Sequence, residues 1–367
     1  MDDAAERQLL LLMAREPDPE RDDKLRHALA ASVNWDHLVS LAGSHGLVPQ
    51  LTQVVSEAAW GASAPPPVIQ QVRMLNAALR LRANALFGVL AHVLDGLEAA
   101  NVQPIVLKGP ALASTVYPDP ALRMFSDLDV LCPEDQFAAA ATVLVSQGYR
   151  AQAQSEREQD GFHVVYQREA GGAPIELHSD LLQLGLPTRC IAALWREGER
   201  FEMGGHPALM LGLEHQILHL CVHLHTHGYT RLIWFKDLDL VLRRRIEQVD
   251  WPKLQALAAS EGVSLSLRHT LSLLRELLET PLPAGCLAGF ARDPLGEAAH
   301  AVLWPRRRVA RLAGKQRLRS LRFNPHRGLA NIVPSLVVMG RRREKLAMLA
   351  AVRQRRVIPA VSGDDTA

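Results

Sequence analysis

Hydrophobic positions recur at helical spacing over most of the first hundred residues of the chain. Asn34, a residue type that caps helix N-termini well, precedes an apolar series at this spacing: Leu38, Leu41, Ala42 and Leu47. Prolines 65–67 then interrupt the chain before a stretch from Val68 to about Ala100 that is rich in good helix formers. The pattern predicts an N-terminal helical region over residues 1–100.

From residue 101 onward the pattern changes to short apolar runs separated by turn residues. The runs 104–107 and 128–131 predict two strands. A helix is predicted after each of them, from Pro110 to Tyr117 and from Pro133 to about Gln147.

Two further apolar runs, 162–167 and 175–178, flank a Gly-Gly turn and therefore predict a β-hairpin. Together these elements predict a compact α/β core with mixed strands over residues 101–185. Helical periodicity returns after Pro187, which predicts a helical domain over residues 186–297 and a C-terminal helical tail over 298–367. The expected fold class is α+β, a small mixed sheet flanked by N- and C-terminal helical regions.

The composition is that of an ordinary globular protein, with 48% hydrophobic and 22% charged residues among 367. Its four cysteines form no CxxC pair, so neither a disulfide framework nor a cysteine-rich zinc site is indicated. No run reaches the roughly 18 consecutive apolar residues of a membrane span, and the first residues are acidic, unlike those of a signal peptide. We therefore expect a cytoplasmic protein without a transmembrane segment.

The charge is distributed unevenly. Residues 298–343 contain twelve Lys and Arg and no acid, which leaves −10 for the rest of a chain whose net charge is +2. Such a basic tail has three interpretations: it is a solvated helical face, a surface for an anionic acceptor or a membrane, or a nucleic-acid site. Only Trp304 and Phe323 could stack on bases there, so nucleic acid ranks below a small or peptide acceptor.

Acidic residues occupy selected positions of two predicted strands. Asp127 and Asp129 stand on alternate positions, so their carboxylates share one face, and Glu176 lies on a later strand between two aliphatic residues. Carboxylates that repel each other are neutralised by a hard cation such as Mg²⁺. An Asp-x-Asp on a solvated edge strand is the alternative, which the apolar surroundings and the third acid disfavour.

A second feature lies upstream of these acids. Lys108 and Gly109 stand where the first predicted strand gives way to a helix. A helix N-terminus offers backbone N–H groups to a phosphate, and the lysine adds positive charge. Combined with the three acids, this predicts a phosphate and metal site.

At this point the chain resembles the bacterial uncharacterised nucleotidyltransferase family, a branch of the DNA polymerase beta-like nucleotidyltransferase superfamily. The resemblance covers roughly residues 30–250 and rests on these motifs: Trp35-Asp-His-Leu38, Ser44-His-Gly-Leu-Val-Pro49, Leu107-Lys-Gly-Pro-Ala-Leu112, Tyr117, Arg123, Asp127-Leu-Asp-Val-Leu131, Gly148-Tyr149, Ile175-Glu-Leu-His178, Leu218-His-Leu220, His223 and Phe235-Lys-Asp-Leu238. One departure is that Lys108-Gly109-Pro110 replaces the Gly-Ser that is usual in the superfamily.

The resemblance implies a polymerase beta-like core that transfers a nucleoside monophosphate from an NTP to an acceptor hydroxyl. It implies two Mg²⁺ ions held by Asp127 and Asp129, with Glu176 completing the site of the catalytic ion and helping to deprotonate the acceptor. It also implies that Lys108, Gly109 and Arg123 hold the triphosphate. For Arg123, a salt bridge to Asp119 is an equally good interpretation.

Other candidates are secondary. Lys236 is either a further phosphate ligand or part of a solvated charge pair beside a core anchor. His178 shares the face of Glu176 and is the histidine expected to touch the site. The stripe His215, His219, His223 and His227 has helical spacing, and we interpret it as structural or substrate-facing rather than as a metal site.

No residue specifies the acceptor. The family resemblance implies a biosynthetic setting, in which the acceptor is a small molecule, a peptide or a glycan. The alternatives are a catalytically silent scaffold with the same fold and a phosphotransferase. A phosphotransferase is disfavoured because the chain has neither a GxxxxGK[ST] motif nor the HRD and DFG elements of kinases.

Overall fold

The structure, a computed structural model, describes residues 4–56, 64–152, 163–169, 171–184 and 187–303. Most of the predicted basic tail, residues 304–367, lies outside the described residues. So do Phe162 and Ala170 of the predicted hairpin.

Five helices occupy the described residues of the N-terminal part, where the sequence pattern predicts a helical region. They are α1 (Ala4–Ala14), α2 (Pro19–Leu29), α3 (Trp35–His45), α4 (Val48–Ser56) and α5 (Pro66–Ala99). The predicted cap is confirmed, because the Asn34 side chain accepts a hydrogen bond from the His37 backbone N–H. Gly46 ends α3 at φ 75°, and a Cβ there would lie 3.0 Å from the Ile233 side chain.

A five-stranded mixed sheet follows, with strand order β1-β2-β5-β4-β3. The strands are β1 (Ile105–Val106), β2 (Leu128–Leu131), β3 (Tyr149–Ala151), β4 (His163–Arg168) and β5 (Ile175–His178). Only β2 and β5 pair in parallel, and the other neighbours are antiparallel. Helices α6 (Lys108–Thr115) and α7 (Phe137–Ser146) follow β1 and β2. The predicted α+β fold is confirmed, whereas the three-residue β3 was too short to predict.

The C-terminal part is again mostly helical. It contains α8 (Ile191–Arg196), β6 (Glu199–Met203), β7 (His206–Met210), α9 (Leu213–Thr226), α10 (Leu232–Arg245), α11 (Trp251–Ser260), α12 (Ser264–Leu278) and α13 (Pro294–Leu303). Helices α9 to α12 agree with the helical periodicity predicted after Pro187. The β6–β7 hairpin was not predicted. It turns at Gly204 and Gly205, both at positive φ.

Two hydrophobic cores lie within the described part of the chain. The larger one joins side chains of the N-terminal helices, such as Leu10 and Met13, to side chains of α10 and α12, such as Phe235 and Leu271. The smaller one lies among the sheet, α5 and α7. The regions predicted over 1–100 and 186–297 thus share one core, and the sheet is fixed between them.

Helix α5 is long and apolar enough to cross a membrane by length and composition, and it is the one such helix in the described part of the chain. The finding rests on length and composition alone. In the described structure α5 packs against α4 and α7.

Candidate functional site

The pairing of β2 with β5 brings two acidic side chains together. Both strands are lined by buried aliphatic residues, as parallel strands covered on both faces are. Their register places Asp129 directly opposite Glu176. The two strands that carry the predicted acids are therefore neighbours in the sheet, as a shared acidic site requires.

Lys108 reaches this pair from the start of α6. Its Nζ donates a hydrogen bond of 2.8 Å to Asp129 Oδ1, and both side chains are largely buried. Lys108 has φ 46°, a left-handed conformation that costs on the order of 1 kcal/mol or more outside glycine. The next residue, Gly109, packs against Phe125, whose Cβ would lie 2.8 Å from an added Cβ.

His178 completes the group from the end of β5. Its Nε2 lies 2.9 Å from Asp129 Oδ1 and 3.7 Å from Glu176 Oε2. The Gln183 amide nitrogen donates to His178 Nδ1, so Nε2 carries the proton that is donated to Asp129. The ring of His163 stacks on that of His178 with centroids 5.4 Å apart.

Asp129, Glu176 and His178 present ligand atoms that all lie within 4.8 Å of one another, and no other such group occurs in the described ranges. The two carboxylates are donors suited to a divalent cation, and the imidazole, whose Nε2 carries a proton, supports Asp129 by a hydrogen bond. The donor set therefore fits a metal ion. Asp127 precedes β2 and is half-exposed, outside this group of three.

The pKa values of the three side chains in this group are shifted in different directions. Burial raises the pKa of Glu176 to about 7, helped by the charges of Asp129 and Asp127. Burial also raises the pKa of Asp129, but Lys108 and His178 outweigh it and hold this pKa well below its ordinary value. Burial lowers the pKa of His178 to about 4, so its imidazole is neutral at physiological pH. The metal-free site thus contains one carboxylate that stays ionised, Asp129, and one carboxyl that titrates near neutral pH, Glu176.

Arg123 does not fit either predicted role. Its guanidinium is buried and donates two hydrogen bonds of 2.7 Å to Asp237, from Nε and Nη2, while Nη1 bonds the Met124 carbonyl. Asp119, the predicted alternative partner, pairs with Arg80 instead. The sequence could not show this because Asp237 lies 114 residues further along the chain.

Lys236 also has a different position from the predicted one. Its buried ammonium donates to the Ala14 carbonyl at 3.2 Å and to Glu16 at 2.9 Å. These contacts tie α10 to the end of α1. We therefore withdraw Lys236 as a phosphate ligand.

One residue that was not singled out individually lies beside the site. His219 of α9 is 6% exposed, and burial together with the positive charge of Lys108 lowers its pKa to about 3. The charge of Asp129 acts on it in the opposite direction. The i, i+4 repeat of histidines was the sequence signal, and it did not distinguish His219 from the other members of the stripe. Within the described residues the stripe forms no metal-ligand group.

Comparison with known proteins gives the following. Residues 31–279 match the protein family described as "Uncharacterised nucleotidyltransferase". No curated protein sequence matches the chain. The solution structure of the antibiotic-resistance factor ANT(2'')-Ia is similar at 11% identity, with 53% of this chain and 97% of that chain covered and a TM-score of 0.36. The crystal structure of an antigenic nucleotidyltransferase-like protein from Paracoccidioides brasiliensis is similar at 15% identity, with 56% and 97% covered and a TM-score of 0.36.

Proposed function

The chain belongs to the uncharacterised nucleotidyltransferase family, and on that premise we propose that it transfers a nucleoside monophosphate from an NTP to an acceptor hydroxyl in an EC 2.7.7-type reaction. The observation that carries the proposal is the register of β2 and β5, which sets Asp129 beside Glu176 under the Lys108 ammonium. Acids beside a cationic helix start form a site for a metal-bound triphosphate.

In this reaction the acceptor oxygen attacks the α-phosphorus of the NTP. The bond from that phosphorus to the oxygen bridging to the β-phosphate breaks, and pyrophosphate leaves with the electron pair. The acceptor hydroxyl loses its proton. Glu176, which lies beside Asp129, is the carboxylate suited to take it.

Asp127, Asp129 and Glu176 would hold two Mg²⁺ ions, with His178 supporting Asp129 from behind. When bound, such ions neutralise charge on the triphosphate and on the attacking oxygen. Lys108 and the backbone N–H groups at the start of α6 place positive charge on the same side of the site. Lys108 now neutralises Asp129, and it can turn to the phosphates when a cation occupies that carboxylate.

The acceptor is a small molecule, a peptide or a glycan, and we expect the reaction in the cytoplasm. A labelling experiment tests the transfer. Purified protein with Mg²⁺ is incubated with NTPs carrying ³²P at the α- or the γ-phosphate, together with an acceptor panel of these three classes plus RNA.

We expect α-label on one acceptor class and unlabelled acceptor with the γ-labelled NTP. Transfer of γ-label would indicate a phosphotransferase. Absence of both, together with no NTP binding, would indicate a scaffold. Asp129→Asn is the matched control, because the change removes the charge at the centre of the site while nearly preserving its shape.

A further inference from the structure

An aromatic and cationic cluster lies between the end of α9 and the start of α10. The rings of His223 and His227 are 4.3 Å apart, and Trp234 lies 4.8 Å from the first and 4.9 Å from the second, centroid to centroid. The Arg231 guanidinium carbon lies 5.5 Å from the Trp234 ring centroid. All four residues are half-buried, so part of the cluster faces solvent.

The cluster extends along α9 toward the group of Asp129, Glu176 and His178. The His223 ring lies 6.2 Å from that of His219, one turn earlier on α9. The charges of Lys108 and Asp129 in turn act on the pKa of His219. At the other end, Arg231 lies within electrostatic range of Asp127. A strip of rings therefore runs along α9 from the acidic pair to the Arg231 guanidinium.

A polar atom on this strip lacks a partner. His219 Nε2 is buried and makes no hydrogen bond within the described part of the chain. Leaving a buried polar group unsatisfied costs roughly 1–3 kcal/mol, so such groups are usually paired when a site is filled. The unpartnered nitrogen is available to a hydrogen-bonding group of a ligand bound beside the acids.

We propose that this strip is the base subsite of the NTP, with the nucleobase against Trp234, His223 and His227, and His219 Nε2 bonded to the ribose or a phosphate. The proposal rests on the proposed function and adds to it. A planar, anionic ligand matches the strip, because rings supply stacking surfaces while Lys108 and Arg231 supply positive charge near its two ends. An uncharged or aliphatic acceptor would use neither feature.

Calorimetric titration with two probes tests the subsite. Mg²⁺-NTPs carry a base, whereas inorganic tripolyphosphate with Mg²⁺ carries only the phosphates. Trp234→Leu should weaken NTP binding about tenfold, since stacking on an aromatic side chain contributes on this scale, and leave tripolyphosphate binding unchanged. Trp234→Phe keeps a ring and should recover most of the NTP affinity. Trp251→Leu, on α11, is the matched control and should bind both probes like wild type.

Fluorescence provides a second measurement that does not depend on the leucine variant folding. Quenching of tryptophan emission by NTP should be reduced in Trp234→Phe and retained in Trp251→Phe. Unchanged NTP affinity in Trp234→Leu, or an equal loss for NTP and tripolyphosphate, would overturn the base subsite and leave the proposed function standing. Failure of wild type to bind either probe would overturn both.

Discussion

Arg123 and Asp237 are 114 residues apart in sequence and share two 2.7 Å hydrogen bonds inside the protein. The Tyr117 hydroxyl donates a third bond, of 2.8 Å, to the same carboxylate. Burial lowers the pKa of Arg123, but the attraction of Asp237 outweighs it and the net shift is upward. The pair joins α10 to the segment that leads into Asp127, so a buried ion pair fixes one edge of the candidate site.

The first prediction follows from the burial of this pair. Asp237→Asn should destabilise the protein by about 3–5 kcal/mol, because it leaves the Arg123 guanidinium buried without a countercharge. Urea unfolding followed by circular dichroism measures the loss. The control is the pair of changes Arg123→Met and Asp237→Leu in one protein, which removes both charges and should cost clearly less than the sum of the single changes. Additive losses would show that the two side chains are not coupled.

The second prediction concerns the acidic residues. Asp127→Asn and Asp129→Asn should each reduce α-label transfer roughly a hundredfold or more, because each removes charge that holds the metal ions. Their effects on stability should differ. Asp129→Asn leaves the Lys108 ammonium without its partner and should lower the melting temperature, whereas Asp127 is half-exposed and its change should leave stability nearly unaltered. Wild-type rates in both variants, or in wild type with excess chelator, would contradict the two-metal mechanism.

The third prediction concerns Lys108. Mg²⁺-NTP should stabilise wild type by about 2.7 kcal/mol at a hundredfold excess over its dissociation constant. Lys108→Ala should bind NTP more weakly and therefore show a smaller stabilisation at the same NTP concentration. Lys253→Ala, which removes a lysine paired with Glu197 and Glu214, is the control and should keep the wild-type response. An identical NTP response in both variants would exclude Lys108 from the nucleotide site.

The acidic pair could be predicted from sequence because local rules determine most of it. Strand alternation decides which residues share a face, and two short apolar runs of this kind belong to one sheet. Asp129, Glu176 and His178 therefore come together as the pattern indicated. Asp127 is the exception, since β2 begins one residue after it and its side chain stays at the rim.

The partners of the basic residues could not be predicted in this way. Arg123 and Lys236 could reach several acids by sequence spacing, and tertiary packing alone decides among them. In the structure, α10 turns Asp237 toward Arg123 and Lys236 toward the end of α1, because neighbouring residues of a helix point to different sides. The packing of α9 likewise determines which histidine of the stripe, His219, lies beside the acidic site.

The last prediction uses the raised pKa of Glu176. The carboxyl has a pKa of about 7 in the folded protein against an ordinary value of 4.5, so its ionisation opposes folding: the stability it contributes is complete below pH 4.5 and is lost as the pH rises through 7. Glu176→Gln removes this loss. In chelator, the variant should gain stability relative to wild type as the pH rises from 5 to 8, by on the order of 3 kcal/mol. The lowered pKa values of buried histidines such as His178 and His219 make stability rise with pH instead. Both proteins contain these histidines, so their effect cancels in the difference between variant and wild type.

Urea unfolding of both proteins across this range is the measurement, and Mg²⁺ should reduce the difference by binding the wild-type carboxylates. A difference that does not change with pH would show that Glu176 is ionised throughout.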